Sequence, residues 1–176
     1  MSKSRLVEPG SLIADTQAFF DILNNQPDMM IVVVSVSYVD ACLAALLQSF
    51  LLSSDATKKL LDPSSGALGS FSARSDAAYA MGLIPKALYQ DLQELGKIRN
   101  KFAHHHLSLV FSDPSVAQLC QKLNYIGTIK NGDFDELVFP EERMPDLKNR
   151  FKFTIIFIKQ FLIQATKNTK RIEKTY

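Results

Sequence analysis

The residues best suited to chemistry lie in one short stretch, 97–106, which holds all three histidines of the chain and an arginine. Histidine transfers protons near neutral pH, and the permanent charge of the Arg99 guanidinium can hold an anionic group such as a phosphate. An always-charged arginine on an apolar stripe, beside three histidines, therefore indicates an ion-pair partner, a bound anion or a subunit contact at this stretch.

These residues end a predicted amphipathic helix that opens at Pro85, with Leu88, Leu92, Leu95, Arg99 and Phe102 on one stripe. At about 100° per residue, Arg99 and His104 point roughly 140° apart, whereas Asn100 and His104 share a face. One helix therefore does not bring the arginine and the histidine together. An unwound helix end, or a second copy of the helix across a two-fold axis, would do so.

Gly96 favours the second of these arrangements. Glycine in a helix interior costs about 1 kcal/mol relative to alanine, which is easier to understand where two backbones pack closely. The sequence therefore predicts a homodimer.

Structural roles compete with chemistry for the same residues. Arg99 is also explained by an ion pair inside the bundle with one of three acidic residues, Asp40, Asp76 or Asp91. Arg74 is predicted to be a second structural charge of this kind. His104 is also explained as a helix C-terminal residue that the helix dipole favours and that caps a carbonyl group.

No metal or cofactor site is predicted. Adjacent histidines do not converge on one ion in a regular backbone, and no cysteine lies near them in the sequence. His105 and His106 are expected to be solvated loop residues. The segment from Gly66 to Gly69 is too short for a phosphate-binding loop and lacks its Lys-Ser/Thr, which indicates a turn.

The apolar periodicity predicts an all-α protein, a single-domain helical bundle over residues 1–176. Besides the helix from Pro85 to the histidines, helices are expected at about 11–25, from near Asp28 through Leu47, and at about 55–61, 70–81, 113–123 and 146–167. The β-branched run 31–34 could pass for a strand, but the length of the apolar run favours helix. Residues 125–145 are expected to be an irregular loop or a small hairpin, because Asn131-Gly132 is a hairpin cue. Residues 146–170 are expected to be a C-terminal helix with a basic tail.

The segment 29–52 is long enough to cross a membrane, but Asp40 would then lie near the bilayer centre at a cost of several kcal/mol. A buried helix is the better interpretation, and no membrane contact is predicted. Cys42 and Cys120 have no metal-like spacing and are expected to be reduced, buried thiols. Together with the lack of a secretory signal, they predict a cytoplasmic protein.

The charge is distributed unevenly along the chain. Residues 1–142 carry a net charge of −5 and residues 143–176 a net charge of +7, within a total of +2. A basic last helix and tail could bind nucleic acid or an acidic partner. The alternative is a solvated helix face with a frayed, lysine-rich end.

About half of the chain, residues 36–123, resembles the mannitol operon repressor (MtlR) family and forms the family-like core. The resemblance consists of short motifs in order: residues 46–52, 60–62, 66–74, 78–84, 91–92, 98–104 and 111–113. It implies an all-helical bacterial transcriptional repressor of mannitol use, without a recognisable DNA-binding motif. Such a regulator would act through an unknown protein partner.

The pattern Arg99-Asn100-x-x-x-His104 also resembles the signature of the HEPN superfamily. That resemblance implies a metal-independent ribonuclease site shared by two subunits, with Arg99, Asn100 and His104 as catalytic residues and RNA as substrate. Many proteins with such motifs are inactive binding modules.

Three hypotheses follow. The first is a cytoplasmic, dimeric, non-enzymatic regulator of the mannitol-repressor type. The second is a HEPN-type ribonuclease of a toxin or phage-defence system. The third is direct nucleic-acid binding by the basic C-terminal segment.

Overall fold

The computed structural model describes residues 16–104, 109–123 and 146–173, and among these residues it contains helices and no strand. The helices are α1 (Thr16–Asn25), α2 (Asp28–Phe50), α3 (Asp55–Leu61), α4 (Phe71–Ala80), α5 (Lys86–His104), α6 (Pro114–Cys120) and α7 (Leu147–Asn168). The predicted all-α bundle is confirmed. The predicted loop or hairpin at 125–145 lies outside the described residues.

The centre of the bundle is α2, which packs against α7, α5, α4 and α1. Eleven of its residues are buried, and the β-branched run 31–34 is helical. By length and composition alone α2 could cross a membrane, with a mean hydropathy of 2.2. In the fold, however, 61% of that apolar window is buried by the other helices, as expected of a core helix.

Short polar side chains fix where several helices begin. Ser54 and Ser70 accept hydrogen bonds from the backbone N–H groups of Thr57 and Ala73, at 3.2 and 3.1 Å, and so cap α3 and α4. Asp146 caps α7 in the same way. Such caps satisfy N–H groups that have no partner within the helix. The predicted starts of these helices are therefore correct to within a residue.

Two helix ends differ from the sequence-based expectation. The carbonyl of Pro85 accepts the N–H of Tyr89, so Pro85 precedes the first residue of α5. Helix α6 ends at Cys120 instead of Leu123, and the N–H of Leu123 bonds to the Cys120 carbonyl in a tighter turn. Both shifts are small and leave the helix axes in place.

The described part of the basic tail folds back onto the C-terminal end of α2. The backbone N–H of Ile172 donates to the carbonyl of Phe50 at 2.8 Å, and Arg171 donates to the carbonyls of Ser49 and Gln48. A cation at a helix C-terminus is stabilised by the helix dipole. This stretch of the tail is therefore a cap for α2. Up to residue 173, the tail is not the frayed end that was one of the two alternatives.

Candidate functional site

Among the residues that the structure describes, the buried arginine is Arg74. Its guanidinium donates to Asp40 Oδ1 at 2.8 Å and to the Leu61 carbonyl at 3.0 Å, and its side chain is 4% exposed. It joins the middle of α2 to the end of α3. The prediction that Arg74 is a structural charge is confirmed.

Arg99 does not form an ion pair with Asp40, Asp76 or Asp91, which was the structural explanation offered for this residue. Asp40 is paired with Arg74, and Asp76 accepts hydrogen bonds from Tyr89 and Gln93. Asp91 is buried on α5 itself. Among the described residues, Arg99 has no ion pair, and its side chain is half-buried. The expectation of an Arg99 pair with Asp40, Asp76 or Asp91 is wrong.

The reason is the way in which α4 and α5 pair. They run antiparallel: the Tyr79 and Tyr89 rings stack with centroids 4.5 Å apart, and the Phe71 ring lies 3.5 Å from a Cβ built on Gly96. Because α4 begins at Phe71 and runs antiparallel to α5, it covers α5 only as far as Gly96. Arg99, one turn further along α5, lies beyond that cover.

An open cleft of about 290 Å³ lies where α4 begins against α5. Its lining combines one arginine, one lysine and several neutral polar groups around an apolar floor: Ser70, Phe71, Ser72, Leu92, Gln93, Gly96, Lys97, Arg99 and Asn100. None of these residues is acidic. The cleft therefore carries positive charge.

Two of the three predicted site residues meet in this cleft. Arg99 and Asn100 line it, whereas His104 does not, being the exposed last residue of α5. The helix remains regular through His104, so the angular separation predicted from the sequence applies. His105 and His106 lie outside the described residues. Among the described residues, no cluster of side chains could hold a metal ion.

The contribution of α4 to this site is not evident from the sequence. Ser70 and Ser72, at the start of α4, form one wall of the cleft, and the sequence had assigned them only to the start of a predicted helix and to a family motif. The short connection between the two predicted helices, at 81–85, was the available signal. Short connections place helices antiparallel, which brings the start of α4 beside the end of α5.

The hydroxyl of Tyr89 donates to Asp76 at 2.9 Å, and this hydrogen bond raises the pKa of Tyr89. Gln93 donates to the same carboxylate and also lines the cleft. The amide of Gln93 therefore lies between the Asp76 carboxylate, to which it donates, and the cleft that it lines.

Many basic side chains of the C-terminal segment have partners inside the protein. Lys148 pairs with Asp28 at 2.7 Å, and Arg150 donates to the Leu123 carbonyl at 2.6 Å. Arg171 caps α2, as described above. These contacts reduce the positive charge that this segment can offer to nucleic acid.

Lys159 is buried in the same segment, with 5% of its surface exposed. Its ammonium lies over the rings of Phe19, Phe20 and Tyr38, at 4.8, 5.5 and 5.4 Å from their centroids. Burial lowers the pKa of Lys159, since a charged amine loses hydration in the core. This lysine contributes to the packing of α7 against α1 and α2.

Both cysteines are free and buried, as predicted. Burial raises the pKa of Cys42 and of Cys120 to about 12. Since the thiolate is the reactive form, neither residue is suited to nucleophilic chemistry in the fold.

Comparison with known proteins gives one family and one fold. A search of curated protein sequences found no significant match. The X-ray structure of the MtlR–HPr complex from Escherichia coli contains a chain of similar fold, with a TM-score of 0.64 and 15% sequence identity. The match covers 85% of this chain and 98% of that one. The family model described as mannitol repressor matches residues 17–163, so this chain belongs to the mannitol repressor family.

Proposed function

We propose that this protein is a non-enzymatic transcriptional regulator that acts through contact with a protein partner. The observation that carries this proposal is the family match over residues 17–163. The similar fold found in the MtlR–HPr complex supports a partner of the HPr type, because nearly all of that chain is matched. In the described residues, no cluster of side chains suggests a metal-dependent reaction.

A surface suited to such contact lies at the C-terminal end of α4. Tyr79 and Met81 are 39% and 40% exposed, and Tyr79 is stacked on Tyr89 in a nearly parallel pair. Aromatic residues and methionine are enriched in protein interfaces, and rigid stacked rings lose little entropy on binding. We propose this patch, Tyr79, Met81 and Tyr89, as part of the partner surface.

The test is a calorimetric titration of the purified chain with HPr from the same organism. Binding is expected, and Met81→Ala should weaken it about fivefold or more if this side chain is a buried interface contact. Met30→Ala is the matched control, because Met30 is 48% exposed at the start of α2, outside the patch. Absence of binding to HPr would refute this partner, and equal effects of the two variants would refute the proposed surface.

We also propose that the protein acts in the cytoplasm and that it forms a homodimer. Light scattering behind size-exclusion chromatography checks the dimer directly. A monomer at concentrations of about 100 μM would contradict it, since a dimer with a typical interface assembles well below this concentration.

The ribonuclease hypothesis needs the dimer in a specific form. Arg99 and His104 point to different sides of α5, so a composite site would take the arginine from one copy and the histidine from another. Incubation with mixed RNA in the presence of a chelator tests this, with Arg99→Ala and His104→Ala as paired variants. We expect no cleavage by the wild type. Cleavage that both substitutions abolish would replace our proposal by the enzymatic one.

A further inference from the structure

We propose that the cleft between the start of α4 and the end of α5 binds a small phosphate-bearing ligand. The site consists of Arg99, Asn100, Lys97, Ser70 and Ser72 around the ring of Phe71. The proposal concerns the monomer and does not depend on HPr or on another protein partner.

The charge of the cleft is the first argument. Arg99 supplies a guanidinium that has no ion pair among the described residues, at a cleft whose described lining contains no carboxylate. Lys97 is a weaker donor, because its ammonium lies 2.6 Å from Glu94 Oε1. A planar guanidinium binds two phosphate oxygens at once through parallel N–H groups.

The neutral polar groups are the second argument. Ser72 lies in the first turn of α4, where backbone N–H groups lack helical partners and favour an anion. The Ser70 hydroxyl accepts the Ala73 N–H as a cap but keeps its own proton, so Ser70, Ser72 and the Asn100 amide are all able to donate. Together with Arg99 they surround an anion from both helices.

Gly96 is the third argument. A Cβ at this position would lie 3.5 Å from the Phe71 ring, which is ordinary van der Waals contact, so packing does not require glycine here. A helix-interior glycine nevertheless lowers stability relative to alanine. The missing side chain leaves the floor of the cleft open, which explains a residue that the fold itself does not need.

The size of the cleft fits a small ligand. Its volume of about 290 Å³ is at the lower limit of ligand pockets in proteins, enough for a phosphate with a small organic group. An extended peptide or a nucleic-acid strand would need a longer groove. We therefore assign the site to a phosphomonoester of low molecular weight.

The experiment follows backbone amide shifts by NMR while inorganic phosphate or glucose 6-phosphate is added to the whole chain. Both probes are expected to shift the Ser72 and Gly96 amides with a Kd below about 10 mM. Glucose, which lacks the phosphate, is expected to shift neither. If phosphate and glucose 6-phosphate both leave these amides unchanged up to that concentration, the proposal is refuted.

Three variants separate the cleft from general surface charge. Arg99→Gln should weaken binding about tenfold or more, because it removes a charge-assisted bidentate contact. Lys101→Gln removes the same charge from the same helix outside the cleft and should change Kd by less than about threefold, as expected of a screened surface charge. Gly96→Met keeps Arg99 but fills the floor, and it should also weaken binding.

The variants also give the refuting outcomes. Equal losses in Arg99→Gln and Lys101→Gln would mean nonspecific attraction, and unchanged binding in Gly96→Met would place the ligand outside the cleft. Thermal unfolding of each variant checks that the fold is intact. Since Arg99 has no ion pair within the described part of the chain, its substitution should leave the midpoint of unfolding unchanged.

Discussion

The pair of Arg74 and Asp40 allows a quantitative test of the fold. Substituting Asp40 by Asn removes the charge that faces Arg74 but keeps the shape of the side chain. The guanidinium is 4% exposed and its Nε already lacks a hydrogen-bond partner among the described residues, so it cannot recover hydration. Substituting Arg74 by Met instead removes the buried cation itself.

The two changes should therefore differ in magnitude. Breaking a buried pair by removing one partner costs about 3–5 kcal/mol when the other charge stays buried. Asp40 is 28% exposed, so some solvent screening applies and Asp40→Asn should cost about 3 kcal/mol, at the lower limit. In Arg74→Met the remaining carboxylate can hydrate, and the unpaired Leu61 carbonyl is the main loss, at about 1–2 kcal/mol.

Equilibrium urea unfolding followed by circular dichroism measures both values. With a slope of about 2 kcal/mol per M, Asp40→Asn should lower the midpoint by about 1.5 M, and Arg74→Met by less than about 1 M. Ser37→Ala, an exposed position on the same helix, is the control and should leave the midpoint nearly unchanged. If Arg74→Met were the more destabilising change, a buried Arg74 guanidinium without its carboxylate partner would not be the costly species that we infer.

Three further predictions concern the buried groups and the tail. Both thiols should resist reaction with an aromatic disulfide reagent at pH 8 in the native state and react at once in urea, because burial raises the pKa of Cys42 and Cys120 to about 12. The pKa of Lys159 is lowered in the fold, so between that pKa and 10.5 the unfolded chain binds more protons and the free energy of unfolding rises with pH. Lys159→Met should abolish this rise, and a rise that persists in the variant would contradict the assignment. Truncation after Asn168 removes the cap on α2 and should lower stability by about 1 kcal/mol, whereas truncation after Glu173 keeps Arg171 and Ile172 and should not.

The sequence was sufficient for most helix boundaries because capping is local. Ser54, Ser70 and Asp146 act within three residues of their own positions, so the sequence alone identifies them. The same holds for the separation of Arg99 from His104, which follows from helical geometry once α5 is regular. Local rules therefore predicted the all-α fold correctly. They also predicted that a single helix does not bring Arg99 and His104 together.

The partner of each arginine could not be predicted, because it depends on which residues of different helices meet. Arg74 and Asp40 are 34 residues apart, and Asp40 was an equally good partner for Arg99 on sequence grounds. The choice is made by the register of α4, since Arg74 meets Asp40 of α2 in the interior, whereas Arg99 lies at the open cleft beside the first residues of α4. The same register of α4 against α5 creates the cleft, which periodicity along one helix does not reveal.

Substitutions of Arg74 and of Arg99 should consequently affect different properties, the free energy of unfolding and ligand binding. Arg74 is buried and satisfied by Asp40 and Leu61, so its substitution lowers the free energy of unfolding. Arg99 is half-exposed and has no ion pair with another residue that the structure describes, and surface charges of this kind contribute between 0 and about 1 kcal/mol to stability. A chain that keeps Arg99 beside an acid-free cleft gains little stability from it, so the effect of its substitution should appear in ligand binding instead. An Arg99→Gln variant that bound phosphate normally but unfolded more easily would reverse this assignment and make Arg99 a structural residue after all.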